Sequence, residues 1–335
     1  MDKQDVLFVL SIDTEEEWEW SNDFPESDCS VKNIEKLPAF QTFCESLHIK
    51  PTYFVDFAVA DDDYSSEVLR QFASQRNVEI GAHLHPWCNP PFFGKTDEAK
   101  SHVVNLPRDQ VKQKLDCLVE RLITNIGPTP VSFRSGRWGI NGSTIQLLAE
   151  RGFSVDSSVY PFYENSFFSC KNRDSTPYWP SFENADLDGV QRNLLELPVT
   201  AGFNRSHFKR ADSIHSLLAK SPLNLVKPVG LLWHTKLLRK LYLSPELTDS
   251  TSMKMLIDMC LEKQYPVIHM YLHSSSLLDG VTGLLQVDNA YSRICKRMTE
   301  VIQHLNAKAN VRFCTISEAA TLLKHKHNSC FSLQD

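Results

Sequence analysis

The sequence has no CxxC pair, no apolar run long enough to cross a membrane and no excess of basic residues. Without paired cysteines a structural zinc knuckle is not predicted, and without about 18 consecutive apolar residues a spanning helix is not expected. The net charge of −6 gives no basic footprint for nucleic acid. The nine cysteines are irregularly spaced, as free thiols in a reducing compartment are, and the first residues do not resemble a signal peptide. We therefore expect a cytoplasmic protein.

Two nucleotide-binding signatures are missing as well. No GxGxxG follows a predicted strand, and no GxxxxGK[ST] occurs. No internal repeat and no Gly/Ser linker divides the 335 residues, of which 42% are hydrophobic and 23% charged, a balance typical of globular proteins. We expect one domain over residues 1–325, with a loop insertion around 160–250 and a tail at 326–335.

Predicted strands alternate with predicted helices along the chain. Apolar runs of strand length are typical of strands that are buried on both faces of a parallel sheet. This order predicts a parallel α/β architecture, either an open sheet or a closed barrel. The predicted strands are Val6–Asp13, Pro51–Ala60, Val78–His85, Pro130–Gly136, Phe153–Val159, Asn193–Thr200, Pro266–Ser274 and a last one that begins at Val311.

Polar residues gather at the carboxyl ends of these strands, where parallel α/β proteins place their sites. A carboxylate at the end of an apolar strand must be solvated, paired or bound to a metal. The spacing of Thr14 and Glu17 also fits an ordinary helix-capping box. The residues at the strand ends are Asp13, Glu15, Glu16, Glu17, His83, His85, Arg134, Arg137, Asp156 and His273.

His83 and His85 are two residues apart on an extended segment, so both imidazoles point to the same side. Both could reach one ion, with Glu15 supplying an oxygen and one position left for water. Two nitrogens and a carboxylate are typical of catalytic zinc, or of iron, cobalt or nickel. The alternative is a pair of loop histidines that are bonded to neighbouring backbone.

These motifs, in this order, resemble the polysaccharide deacetylase family, the NodB-homology group of carbohydrate esterases (family 4-like), and most closely its WalW-like branch. The motifs are SIDTE, EIGAHLHPW, FRSGRWG, VDSSVYP and HMYLHSS, and they span roughly residues 6–320. The resemblance implies a distorted (β/α) barrel with about seven parallel strands. It implies a divalent transition metal, with zinc expected, held by Glu15, His83 and His85.

The resemblance also implies the catalytic roles. Asp13 would be the general base, Arg134 would orient it, His273 would be the general acid, and Asp156 would orient His273. Two departures from the family pattern stand out: Asp–Thr–Glu replaces adjacent aspartates, and HxH replaces HxxxH, with Trp87 at the fourth position after His83.

The expected substrate is a sugar, free or linked to a lipid or nucleotide. Aromatic faces suit sugar rings, although each such residue could equally be a packing residue. We expect substrate contacts from Trp87, Arg137, Trp138 and Tyr160, with Phe162, Tyr163, Tyr178 and Trp179 on nearby loops. Residues 231–243 read as a basic amphipathic helix, which either lies on an anionic membrane or packs on the barrel.

The expected function is removal of N- or O-acetyl groups from a sugar during polysaccharide or lipopolysaccharide assembly. One alternative is hydrolysis of another linear amide on the same scaffold. The other alternative is a catalytically inactive barrel that binds carbohydrate or a partner enzyme.

Overall fold

A computed structural model describes residues 3–18, 24–219, 230, 232, 235, 237–285 and 288–331, with side chains for those up to residue 325 other than 219. Its strands are β1 (Gln4–Thr14), β2 (Pro51–Val55), β3 (Glu79–Leu84), β4 (Ser132–Ser135), β5 (Val155–Asp156), β6 (Leu195–Glu196), β7 (Ala201–Phe203), β8 (Lys240–Tyr242), β9 (Val267–His273) and β10 (Ala309–Phe313). Its α-helices are α1 (Leu37–Ser46), α2 (Phe57–Asp61), α3 (Asp63–Ala73), α4 (Arg108–Asn125), α5 (Gly142–Glu150), α6 (Phe208–Ala219), α7 (Ser250–Glu262), α8 (Ala290–Lys308) and α9 (Ile316–Phe331).

Eight strands form one sheet, in which every pairing is parallel. From β1 the order runs through β2, β3, β4 and β5 to β6. Strand β10 pairs with the first residues of β1, and β9 pairs with the other edge of β1. Thr200, which follows β6, donates its N–H to the carbonyl of His269 and accepts from the His269 N–H, which links the two ends of the sheet. The predicted distorted (β/α) barrel is confirmed, with eight parallel strands where about seven were expected.

The core follows from the apolar runs. The residues of β1 from Phe8 to Thr14 are all buried, because neighbouring strands cover both edges of β1 and side chains cover both of its faces. Helices α4 and α8 bury one apolar stripe each, with positions such as Leu115, Leu118 and Leu122 recurring at helical spacing. Strand burial of this kind accounts for the continuous apolar runs in the sequence.

Several local predictions need correction. The second predicted strand, Pro51–Ala60, ends at Val55, because the Asp56 carboxylate accepts the N–H of Val59 and starts α2. Thr14 and Glu17 form no capping box, since no helix begins there; the Glu17 carboxylate accepts from Ser30 instead. Helix α9 continues to Phe331, inside the predicted tail.

The predicted amphipathic helix at 231–243 is wrong in its second half. Residues 231, 233, 234 and 236 lie outside the described residues, but Lys240–Tyr242 form β8, which pairs antiparallel with β7. Leu241 and Leu243 are buried, and the Lys240 ammonium donates to the Phe162 carbonyl within the protein. No helix in the described part of the chain is long and apolar enough to cross a bilayer.

Candidate metal and acid–base site

The parallel register brings four predicted site residues to the same end of the sheet. Asp13 is paired with His273 across β1 and β9, and His83 with Arg134 across β3 and β4. Glu15 and His85 follow directly after β1 and β3, where the chains leave the sheet. Asp13, Glu15, His83, His85 and His273 line one cavity of about 330 Å³.

Glu15, His83 and His85 form a three-donor cluster. Oε2 of Glu15 lies 3.4 Å from Nε2 of His83 and 3.2 Å from Nε2 of His85. Donor atoms around a tetrahedral zinc ion with bonds of about 2.0–2.1 Å are roughly 3.3 Å apart, so the spacing fits one ion. The pKa of Glu15 is lowered despite its burial, chiefly by the charge of His273 and by bonds from the two ring nitrogens.

The Nδ1 atoms of His83 and His85 each contact a hydrogen-bond acceptor. Nδ1 of His83 faces the Arg134 carbonyl at 3.0 Å, and Nδ1 of His85 faces the Glu16 carboxylate at 2.9 Å. Both partners accept only, so each Nδ1 carries a proton and each Nε2 is the nitrogen that faces Glu15. Despite burial, the charges of Glu16 and Glu15 and the bonds to them raise the pKa of His85 well above its usual range, so a bound metal would take the place of its Nε2 proton. The HxH spacing is therefore compatible with a complete ligand set.

Glu16 is a site residue to which the sequence analysis gave no role. It accepts the Nδ1–H of His85 and, at 2.6 Å, the indole N–H of Trp87. The backbone N–H of Glu16 donates to Asp56, and the two carboxylates lie in contact. Burial and the Glu16 charge raise the pKa of Asp56 well above its usual range. The charge of His85 lowers the pKa of Glu16 to about 2, although burial alone would raise it. A carboxylate behind a ligating histidine fixes its orientation and raises its basicity.

Trp87 lines the cavity next to His85, although its side chain is buried. Its ring stacks on the ring of His85, with centroids 4.2 Å apart. The stacked ring and the bond to Glu16 support His85, and a contact of Trp87 with the substrate stays a prediction.

Asp13 and His273 lie side by side where β1 and β9 end, and both line the cavity. Oδ1 of Asp13 accepts a hydrogen bond from the Arg134 guanidinium, and Oδ2 lies 3.8 Å from Nε2 of His273. Arg134 is fully buried and also donates to the carbonyl and hydroxyl oxygens of Ser157, at 2.9 Å each. This pairing leaves one Asp13 oxygen directed towards the site.

The prediction that Asp156 orients His273 is wrong. Glu246, in the segment between β8 and α7, accepts the Nδ1–H of His273 at 2.7 Å and its backbone N–H at 3.2 Å. Asp156 instead accepts from Ser158 and contacts Glu196. Burial alone would lower the pKa of His273, but the charges of Glu246 and Glu15 and the bond to Glu246 raise it to about 10.

A fourth histidine, His269, lies beneath Asp13 on the same strand as His273. Its Nε2 lies 2.8 Å from the Ser11 hydroxyl, and its Nδ1 donates to the Pro198 carbonyl. Burial and the Arg134 charge lower its pKa well below the usual range. His269 is therefore a neutral bridge that links β9 to β1 under the site.

Aromatic side chains form one wall of the cavity. Trp138 stacks on Tyr160 with centroids 4.7 Å apart, and Tyr160 stacks in turn on Tyr242 at 5.1 Å. The hydroxyl groups of Tyr160 and Tyr271 are hydrogen-bonded at 2.6 Å. Arg137, Trp138 and Tyr160 all line the cavity, as residues that contact a substrate must.

Comparison with known proteins gives a likeness of fold. No family model matches the sequence and no curated protein matches it. A solved structure from Mycobacterium smegmatis, assigned as a polysaccharide deacetylase, matches 98% of this chain and 92% of its own, at a TM-score of 0.52 and 15% identity. A peptidoglycan deacetylase from Bacillus subtilis matches 99% of this chain and 97% of its own, at 0.43 and 10%. The chain has the distorted barrel of the polysaccharide deacetylases, as its motifs predicted.

Proposed function

We propose that the chain is a metal-dependent deacetylase that removes N- or O-acetyl groups from a sugar. The observation that carries the proposal is the convergence of three metal donors beside an adjacent carboxylate and imidazole, all lining one cavity. The fold and the aromatic wall are consistent with a carbohydrate substrate, and a cavity of about 330 Å³ is in the range of small-ligand sites. The proposal covers a free sugar and a sugar carried on a lipid or nucleotide, since the same acetyl chemistry applies.

Glu15, His83 and His85 would hold the divalent metal, and zinc suits two neutral imidazoles with one carboxylate. Such an ion, when bound, lowers the pKa of water towards neutrality and polarises a carbonyl oxygen. Glu16 and Trp87 hold His85 in place, and the Arg134 carbonyl holds His83.

Asp13 is the proposed general base. The Arg134 guanidinium donates to one carboxylate oxygen of Asp13, so the other oxygen is available to accept a proton from the attacking water. Buried pairing with Arg134 keeps this carboxylate in one orientation, which is what proton transfer within the site requires.

His273 is the proposed general acid. The Glu246 carboxylate takes its Nδ1–H and favours the protonated ring, so that Nε2–H points towards Asp13 and the cavity. From there it can donate to the leaving amine or alcohol. Base and acid thus lie side by side next to the metal donors, with Oδ2 of Asp13 and Nε2 of His273 3.8 Å apart.

Acetate release from a panel of N- and O-acetylated sugars and nucleotide sugars, by the zinc-loaded protein, tests this proposal. Wild type should release acetate from at least one member of the panel. Asp13→Asn should retain the metal and lose turnover, and a variant that kept full turnover would rule out Asp13 as the base. A metal-loaded wild type with no activity on any acetylated sugar would favour the inactive, carbohydrate-binding alternative.

A further inference from the structure

His102 is a buried histidine in the wall of the same cavity, in the loop between β3 and α4. Its side chain is only 2% exposed, and among the described residues neither Nδ1 nor Nε2 has a hydrogen-bond partner. The Arg137 carbonyl lies near the ring but without hydrogen-bond geometry. Buried polar atoms are nearly always paired, so two unpaired nitrogens at an active-site wall call for a partner that arrives from outside the chain.

The surroundings of His102 define which chemistry that partner has. The ring stacks on Phe167, with centroids 4.8 Å apart, and is held neutral because burial and the Arg137 charge lower its pKa to about 4. A neutral imidazole offers one donor and one acceptor. The Arg137 guanidinium is already paired with the Glu98 carboxylate and the Ser101 hydroxyl. This balanced charge favours a neutral hydroxyl group over an anion.

The backbone next to His102 is strained in a way that is typical of binding sites. Arg137 and Trp138 have φ values of 60° and 62°, although neither is glycine. This turn presents Trp138 to the aromatic wall and Arg137 to the His102 loop. Adjacent residues therefore contact the His102 loop and the aromatic wall: Arg137 contacts the loop and Trp138 belongs to the wall.

We propose that His102 is a specificity-determining residue that binds a ring hydroxyl of the sugar while the ring lies against Trp138. The inference rests on the proposed deacetylase function and adds to it. The substrate is then a sugar with a free ring hydroxyl, and His102 selects for that hydroxyl.

The test compares wild type with His102→Phe and His102→Asn. The probes are the methyl glycoside of N-acetylglucosamine and analogues that each lack one ring hydroxyl. Phe keeps the stacking on Phe167 but removes both polar atoms, whereas Asn keeps a donor and an acceptor. We expect His102→Phe to raise KM by about 5- to 150-fold, the cost of leaving a buried partner unpaired, with a smaller change in kcat. His102→Asn should recover part of the loss.

Two further readouts separate recognition from packing. The analogue that lacks the bound hydroxyl should be hydrolysed equally by wild type and His102→Phe. The substrate-free His102→Phe protein should melt at the same temperature as wild type or higher, because two unpaired polar atoms are gone. An unchanged KM for His102→Phe, or a large drop in its melting temperature, would overturn the proposal.

Failure of the deacetylase function itself gives a different pattern. In that case wild type releases no acetate from any of these glycosides. Calorimetric binding of the same glycosides then decides the role of His102. Weaker binding by His102→Phe supports a recognition role, and equal binding or no binding by the two proteins contradicts it.

Discussion

Replacement of Glu246 by Gln tests how the proposed general acid is held. The Glu246 carboxylate accepts two donors from His273, the Nδ1–H at 2.7 Å and the backbone N–H at 3.2 Å. A Gln side chain has one acceptor oxygen and one NH₂ group at these two places. One His273 donor would therefore face another donor, and the charge that favours the protonated ring would be lost.

The expected effect falls on kcat and on its pH dependence. General acid catalysis contributes about 10²- to 10⁴-fold, so Glu246→Gln should lower kcat by roughly 10²-fold or more. Glu246 raises the pKa of His273, and a general acid stops working as pH rises through its pKa. Removal of the Glu246 charge should therefore move the alkaline limb of the kcat profile to lower pH.

The assay is acetate release across a pH series, with metal content measured on the same samples. Asp156→Asn is the matched control, because Asp156 is equally buried but bonds Ser158 and Glu196. The control should keep the wild-type alkaline limb. A Glu246→Gln profile with an unchanged alkaline limb and kcat, or the same shift in Asp156→Asn, would show that Glu246 does not hold His273 as the general acid.

Three further substitutions test the contacts that hold the site residues in place. Glu16→Gln should weaken metal binding by about 10- to 100-fold in a competition titration, since it loses the charged partner of His85. Arg134→Met should lower the free energy of unfolding in urea by about 3–5 kcal/mol, because it leaves Asp13 buried without its cation. Gly136→Ala should reduce metal affinity while the circular dichroism spectrum stays native, because the new Cβ would lie 2.2 Å from Cδ2 of His85. Wild-type values in these three measurements would contradict the corresponding contacts.

Most of the site can be located from the sequence because parallel α/β proteins place their sites at the carboxyl ends of strands. Asp13, His83, Arg134 and His273 each end a predicted strand, and parallel pairing places such ends side by side. The HxH pair is predicted to reach one ion because alternate residues of an extended segment face the same way. The fold followed from the same apolar runs, which are buried between strands and helices.

Site residues whose partners come from tertiary contacts cannot be assigned a role from the sequence. Glu246 follows the short strand β8 in a region predicted as a loop insertion, and it meets His273 only through the tertiary fold, 27 residues away in sequence. Glu16 was visible as one of three consecutive acids, but its partner His85 lies 69 residues further on. Trp87 was placed beside the site correctly, yet its burial beneath His85 depends on packing that no local pattern encodes.

The most direct test of the central claim is the number of metal equivalents bound per chain in wild type and in His85→Ala. His85 is the second histidine of the short HxH pair, and its Nε2 lies 3.2 Å from the Glu15 carboxylate. We expect about one equivalent of a divalent transition metal in wild type, lost in His85→Ala and retained in a control that replaces the neutral bridge, His269→Gln. A His85→Ala protein that still binds one full equivalent with wild-type affinity would show that the HxH pair does not hold the metal.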